Sequence, residues 1–154
     1  YAGQSLTFNN ISASLNALKS LVENQVSDAF AVTEKPQEET GRSLVQVLFC
    51  NSFPNKTIQF REVPVAEGRS DNMLIVDMEK YPFEVKIWHG PKYYKKGLEQ
   101  IKYYMDKENV SFGFYIIFDG RIRKSRSGGE TLVKGDKKIY QIFIRIKNTK
   151  PYSH

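Results

Sequence analysis

The sequence predicts an α/β fold, with helices and strands interleaved along the chain, and three observations predict it. Apolar residues recur at helical spacing in three separate segments, 10–30, 38–49 and 91–108. Shorter segments at 57–65, 71–76, 83–88, 113–119 and 138–147 are rich in β-branched and aromatic residues. The resulting order is helix, helix, strand, strand, strand, helix, strand and a C-terminal β-hairpin, an interleaving that suits helices packed on a sheet.

Each element has its own signal. Segment 10–30 carries an apolar stripe of Ile11, Leu15, Leu18, Leu21, Val22 and Val26, with Asn9 or Asn10 as its cap. Residues 1–32 thus form an N-terminal helical segment that packs on, or leads into, a domain spanning 33–154. Pro36 marks the link. Glu38 and Glu39 then open the run Leu44, Val45, Val47, Leu48 and Phe49, which reads as a buried helix of three to four turns. Acids in a first turn are favoured by the helix dipole alone. Strand 57–65 follows. Next come strands 71–76 and 83–88, with turn chemistry at 78–82; a hairpin centred on Glu79 and Lys80 sets Asp71 across from about Trp88. Segment 91–108 begins with a proline, which suits a helix start, and its stripe is Tyr94, Leu98, Ile101 and Met105. Gln100 and Tyr104, four apart, project from one flank of it. Gly97 costs that helix about 1 kcal/mol against alanine, so another backbone is expected to approach closely there. After strand 113–119, Arg121, Arg123, Lys124 and Arg126 crowd a turn rich in serine and glycine, and 138–147 forms the second limb of a hairpin arm.

Composition narrows the function. A chain of 154 residues fits one domain and can bury roughly two-thirds of its unfolded surface. A net charge of +6 favours an anionic partner, though it serves solubility equally well. Lys92, Lys95, Lys96, Lys102 and Lys107 all ride the 91–108 helix. The single cysteine, Cys50, excludes an internal disulfide, reads as a buried inert thiol and fits the reducing cytoplasm. With two histidines, His89 and His154, no zinc cluster can be assembled. There is no Gly-rich phosphate loop for ATP hydrolysis and no apolar run of eighteen residues for a membrane span. A first residue of Tyr1 reads as an excised part of a longer chain.

The chemistry concentrates in Glu84, Val85 and Lys86. Strand alternation puts Glu84 and Lys86 on one face and Val85 and Ile87 on the other. A hard cation such as Mg²⁺ or Mn²⁺ takes oxygen ligands and needs only one or two carboxylates besides water and phosphate. Asp71 and Glu84 can supply them, with the Val85 backbone carbonyl as a third oxygen. Lys86 can orient or deprotonate the attacking water and offset phosphoryl charge. An isolated E-x-K, however, is common and describes a surface strand with paired charges just as well.

The surrounding residues add specificity. Gly68, Arg69, Ser70 and Asp71 precede the run Phe83, Glu84, Val85, Lys86, Ile87, Trp88, His89 and Gly90. Tyr94, Lys95, Lys96, Gly97, Leu98, Glu99, Gln100 and Ile101 follow, continuing through Asp106, and strand 113–119 closes the set. Together these resemble the PD-(D/E)XK nuclease superfamily, and most closely the nuclease-like domain at the C-terminus of a group of bacterial AAA-type ATPases. The matching pieces cover roughly a third of the chain, and Ser70 stands where the superfamily usually has proline. The resemblance implies a restriction-endonuclease-like α/β sandwich, a mixed β-sheet with helices on both sides, with its site on the edge formed by the 71–88 hairpin. It implies Asp71 and Glu84 as metal ligands, Lys86 as the catalytic lysine, and Gln100 with Tyr104 as a helix-borne element supporting site and substrate. It also calls for an acid from the first core helix, where Glu39 is preferred over Glu38.

Two functions follow as expectations. The first is a Mg²⁺- or Mn²⁺-dependent nuclease cutting DNA in preference to RNA, with Lys92, Lys96, Tyr104, Arg121 and Arg123 on the substrate. Such contacts to the backbone confer little sequence specificity. A linked ATPase domain is the expected partner, and a homodimer would suit a duplex. The second is a catalytically silent nuclease-like module that binds nucleic acid or a protein beside an ATPase.

Overall fold

The computed structural model describes residues 2–26, 38–64, 70–121 and 128–146. Helix α1 (Ala2–Leu21) runs on as a π-helical turn, Val22–Val26, and is followed by α2 (Glu38–Ser52), β1 (Ile58–Pro64), β2 (Ser70–Val76) and β3 (Glu79–Ile87). Helix α3 (Pro91–Glu108), β4 (Phe112–Asp119), β5 (Gly129–Lys134) and β6 (Lys137–Arg145) complete the order. The strands form one mixed sheet, β1-β2-β3-β4-β6-β5, in which β3, β4 and β6 run parallel and the remaining pairs antiparallel. Helices α1 and α2 cover one face and α3 the other, so the α/β arrangement with helices on both sides holds.

The larger core lies under α1 and α2. Phe8, Ile11, Leu15, Leu18 and Val22 descend α1 at spacings of three and four and meet Val45 and Phe49 of α2 and Val85, Ile116 and Ile142 of the sheet. Phe8 extends the expected stripe one step towards the N-terminus, which is why the helix starts earlier than residue 10. Asn9 and Asn10 are therefore exposed mid-helix residues, not caps, and Leu21 faces solvent. A buried ion pair ties the helix down: Lys19 Nζ lies 2.6 Å from Glu23 Oε2 and donates to the Phe143 carbonyl at 2.8 Å. Glu23 accepts the Arg145 backbone N–H at 2.8 Å. Segment 1–32, as far as it is described, thus shares the domain's main core.

Several local expectations change. The β2–β3 hairpin turns at Asp77 and Met78, both at positive φ (48° and 73°), so Val76 pairs with Glu79. Two positive-φ residues make the tight turn that matches strand twist. Residues 79–82 accordingly belong to β3 rather than to a turn. Pro82 stands before the β3–β4 ladder begins at Phe83, where its missing N–H costs no bond. Nor is this hairpin an edge, because β1 covers β2 and β4 covers β3. The C-terminal limb is no arm either: β6 is inserted between β4 and β5, and its unbroken run of buried residues, Gln141 among them, marks a strand buried on both faces. On α2, Val47 and Cys50 point outward, because only the stripe of Gly41, Val45 and Phe49 meets the sheet. At Gly97 the close neighbour is a side chain, not a backbone; a Cβ there would lie 2.9 Å from Tyr115 Cζ. Among the described residues, no helix is long and apolar enough to cross a membrane.

Gly41 sets how closely α2 lies on the sheet, since a Cβ there would meet Phe118 Cε2 at 2.5 Å and Val85 Cγ1 at 3.1 Å. Gly41→Ala should lower stability in denaturant by about 1–3 kcal/mol through overpacking, despite alanine's helix advantage of about 1 kcal/mol. A gain in stability would show that the helix stands further off.

Candidate active site

Strand β3 brings the candidate residues together by alternation. Phe83, Val85 and Ile87 enter the α1/α2 core, leaving Glu84 and Lys86 to the α3 face. Glu84 is only 5% exposed, and the Lys86 ammonium stands 3.9 Å from its Oε1. The backbone alternates as well. The Trp88 N–H donates to Phe118 O of β4 at 2.9 Å, whereas the Ile87 N–H points the other way and donates to Glu38 Oε2 at 3.3 Å. The Val85 carbonyl, two residues before Ile87, is directed to that same β2 side.

On that side the β2–β3 ladder has its last pair at Asn72 and Phe83. Continued one residue, the register brings position 71 level with Glu84, not with Trp88. Asp71 is described by its backbone, which pairs with Val63 of β1; its side chain lies outside the described residues.

Two helix N-termini converge here. Glu38 opens α2, and its carboxylate accepts the Tyr93 hydroxyl at 2.5 Å in addition to the Ile87 N–H. Glu39, one residue on, is 68% exposed on its side chain and pairs with Arg42 at 2.7 Å. A step of one residue turns a helical side chain by about 100°, so the acid at this site is Glu38. Helix α3 begins three residues after β3 with Pro91 at its first turn. Its Tyr93 ring lies 5.0 Å from Lys86 Nζ and packs edge-on against His89 at 5.3 Å. Tyr93 therefore touches both Glu38 and Lys86, yet nothing in its sequence setting between Lys92 and Tyr94 singles it out. Lys92, Lys95 and Lys96 are exposed on the same first turns of α3.

A second layer lies behind Glu84. Tyr115, its register partner on β4, stacks on Tyr94 at 5.3 Å and donates to the Tyr94 carbonyl at 2.9 Å. The Tyr94 hydroxyl donates to Gln141 Oε1, and Gln141 Nε2 donates to Glu130 Oε1 at 2.9 Å. At the end of β4, fully buried Asp119 accepts both the backbone N–H of Arg121, at 3.0 Å, and its Nε, at 3.1 Å. The Arg121 guanidinium lies 3.6 Å over the Trp88 ring.

Other candidates sit elsewhere. Tyr104 is 1% exposed, packed against Met73 and Ile75 and donating to Glu108 at 3.1 Å. It supports β2 from below and cannot meet a substrate. Gln100 is half-buried on the same helix. Arg123, with Lys124 and Arg126, lies outside the described residues. Among the described residues, no three His, Cys, Asp or Glu side chains converge as a metal cage, a set that does not include the Asp71 carboxylate.

No protein-family model, curated protein or solved structure matches the chain.

The surroundings of these carboxylates raise the pKa of neighbouring tyrosines. Burial is the main cause at Tyr93, followed by its bond to Glu38 and the charges of Glu38 and Glu84. At Tyr115 burial again leads, with the Glu84 charge next. Tyr81 and Tyr94 are raised in the same direction, chiefly by burial. The folded chain therefore keeps protons that the unfolded chain releases near pH 10.0, the ordinary tyrosine value. Stability from these groups is complete below that pH and is lost as pH rises through the folded values. Phenolate absorbance should show these four ionising above pH 10.0, with the denaturant midpoint falling above about pH 10. Simultaneous ionisation of all nine tyrosines in a folded chain would refute this electrostatic picture.

Proposed function

We propose that this chain is a metal-dependent phosphodiesterase acting on DNA, with a restriction-endonuclease-like sandwich of the PD-(D/E)XK type. One observation carries the reading: Glu84 and Lys86 share a face at the carboxyl end of a central strand, 3.9 Å apart, where the N-termini of α2 and α3 converge. Strand ends facing helix N-termini are suited to anions. A metal ion held by Glu84 would set a further cation between that acid and a polyanion.

The donor set fits a hard divalent ion. Glu84, Asp71 and the Val85 carbonyl would hold Mg²⁺ or Mn²⁺, with Glu38 in place of Glu39 as the acid from the first core helix. Such an ion, when bound, supplies Lewis-acid polarisation of the phosphoryl group and a more acidic water. The chain's own residues do the rest. Lys86, on the same face as Glu84, can take or give a proton at the attacking water and offset phosphoryl charge. Tyr93 holds the Lys86 ammonium over its ring and the Glu38 carboxylate through its hydroxyl. Lys92, Lys95 and Lys96 present charge to the sugar-phosphate backbone from the start of α3, positioning it without reading bases. A second reading is a silent nuclease-like module beside a linked ATPase domain, which would use the exposed lysines of α3 to bind nucleic acid without cleaving it.

Calorimetric titration with Mg²⁺ and Mn²⁺, alongside plasmid cleavage on the same samples, separates the two. Asp71→Ala and Glu84→Ala should abolish both metal binding and cleavage. Glu38→Ala should weaken metal binding by about tenfold or more, while Glu39→Ala stays within about twofold of wild type. Lys86→Ala should abolish cleavage and leave DNA binding within a few-fold. A wild-type protein that neither binds metal nor cuts establishes the silent module.

A further inference from the structure

We infer that Trp88 and Arg121 form a stacking platform for an unpaired nucleobase beside the scissile phosphate, so that single strands or frayed ends are the preferred substrate. The inference rests on the phosphodiesterase reading for what it says of the scissile bond; the platform itself stands on separate contacts.

Trp88 continues the alternation of Glu84 and Lys86, and its N–H still belongs to the β4 ladder. It therefore lies on their face, about 6.6 Å along the strand from Lys86. Its ring is wedged from below by Tyr94 and Phe143, at 5.8 and 6.2 Å between centroids. The Arg121 guanidinium covers it at 3.6 Å, the separation of stacked planes. Asp119 grips the Nε edge of that guanidinium, so its orientation is fixed in two directions. Even so, 42% of the Arg121 side chain is exposed. With one face on the indole and one edge on the carboxylate, a ligand stacking here would meet the outer face of the guanidinium.

Charge decides what this surface binds. The buried Asp119 carboxylate, 3.1 Å away, offsets the Arg121 charge, which makes it a weaker phosphate clamp than the exposed lysines of α3. What Arg121 retains is a flat, preorganised plane, a surface on which bases stack. Bases inside a duplex do not expose their faces; unpaired ones do. Arg121 thus contacts a base where the sequence suggested phosphate.

Trp88 is the chain's sole tryptophan, so its emission reports on the platform directly. The test uses Lys86→Ala protein with Mg²⁺ to prevent turnover, titrated with a mixed-sequence single-stranded DNA and with a closed hairpin duplex containing the same sequence. The single strand should change Trp88 emission saturably and bind about tenfold more tightly than the hairpin. Arg121→Lys keeps the charge and loses the plane. It should weaken single-strand binding about tenfold and leave hairpin binding within twofold. Equal affinity for the two DNAs, or an Arg121→Lys variant that binds single strands like its parent, overturns the platform. Wild-type cleavage without any Trp88 response overturns the platform alone. A full Trp88 response without wild-type cleavage keeps the platform and removes the nuclease reading, and no binding of either DNA removes both.

Discussion

Burial of a carboxylate on a central strand is the constraint around which this structure is arranged. Glu84 is flanked by β2 and β4 and nearly closed to solvent. Taking a charge out of water costs several kcal/mol unless partners are supplied. The fold supplies a positive environment: Lys86 on the same face, and the partial positive charge at the starts of α2 and α3. These compensations reach the strand from both sides of the sheet.

The same arrangement leaves negative charge where an anion would approach, since Glu38 converges on the same strand end. Two carboxylates drawn to one strand end repel each other, even where helix N-termini favour each of them singly. Natural chains accept such local conflict at functional sites and offset it elsewhere. Here the offset is visible in the core beneath α1 and in the Lys19–Glu23 pair that binds α1 to β6. The aromatic layer of Trp88, Tyr94, Tyr115 and Phe143 performs the parallel task on the α3 side. It fills the space behind the strand ends with rings whose polar tips are satisfied by one another's backbone and by Gln141.

Legibility in the sequence followed the strength of each local signal. Helix α3 matches its expected bounds because a proline and a regular stripe agree, and in the structure a left-handed Asn109 closes it. The sharing of a face by Glu84 and Lys86 followed from strand period alone. The hairpin register did not, because Pro82 looked like turn chemistry while Met78, a poor residue for positive φ, occupies the real turn. That error of register is what displaced Asp71 from Glu84 to Trp88. Glu39 was preferred to Glu38 on sequence, although either can favour a helix dipole; only the rotation of α2 against β3 separates them. Tyr104 was misleading for the same reason: its spacing from Gln100 says that they share a flank, not that the flank faces solvent.

The sequence by itself determined the class of fold, the number and approximate place of the helices, and the residue types able to hold a cation beside a polyanion. These are local or periodic properties, written in propensity, spacing and charge. Tertiary structure alone decided which acid stands beside Ile87, that Tyr93 joins Glu38 to Lys86, and that the Arg121 guanidinium lies over Trp88 with its charge offset by Asp119. Those facts depend on contacts between elements distant in the chain, whose relative rotation and register are set by packing and leave no local mark on the residues themselves.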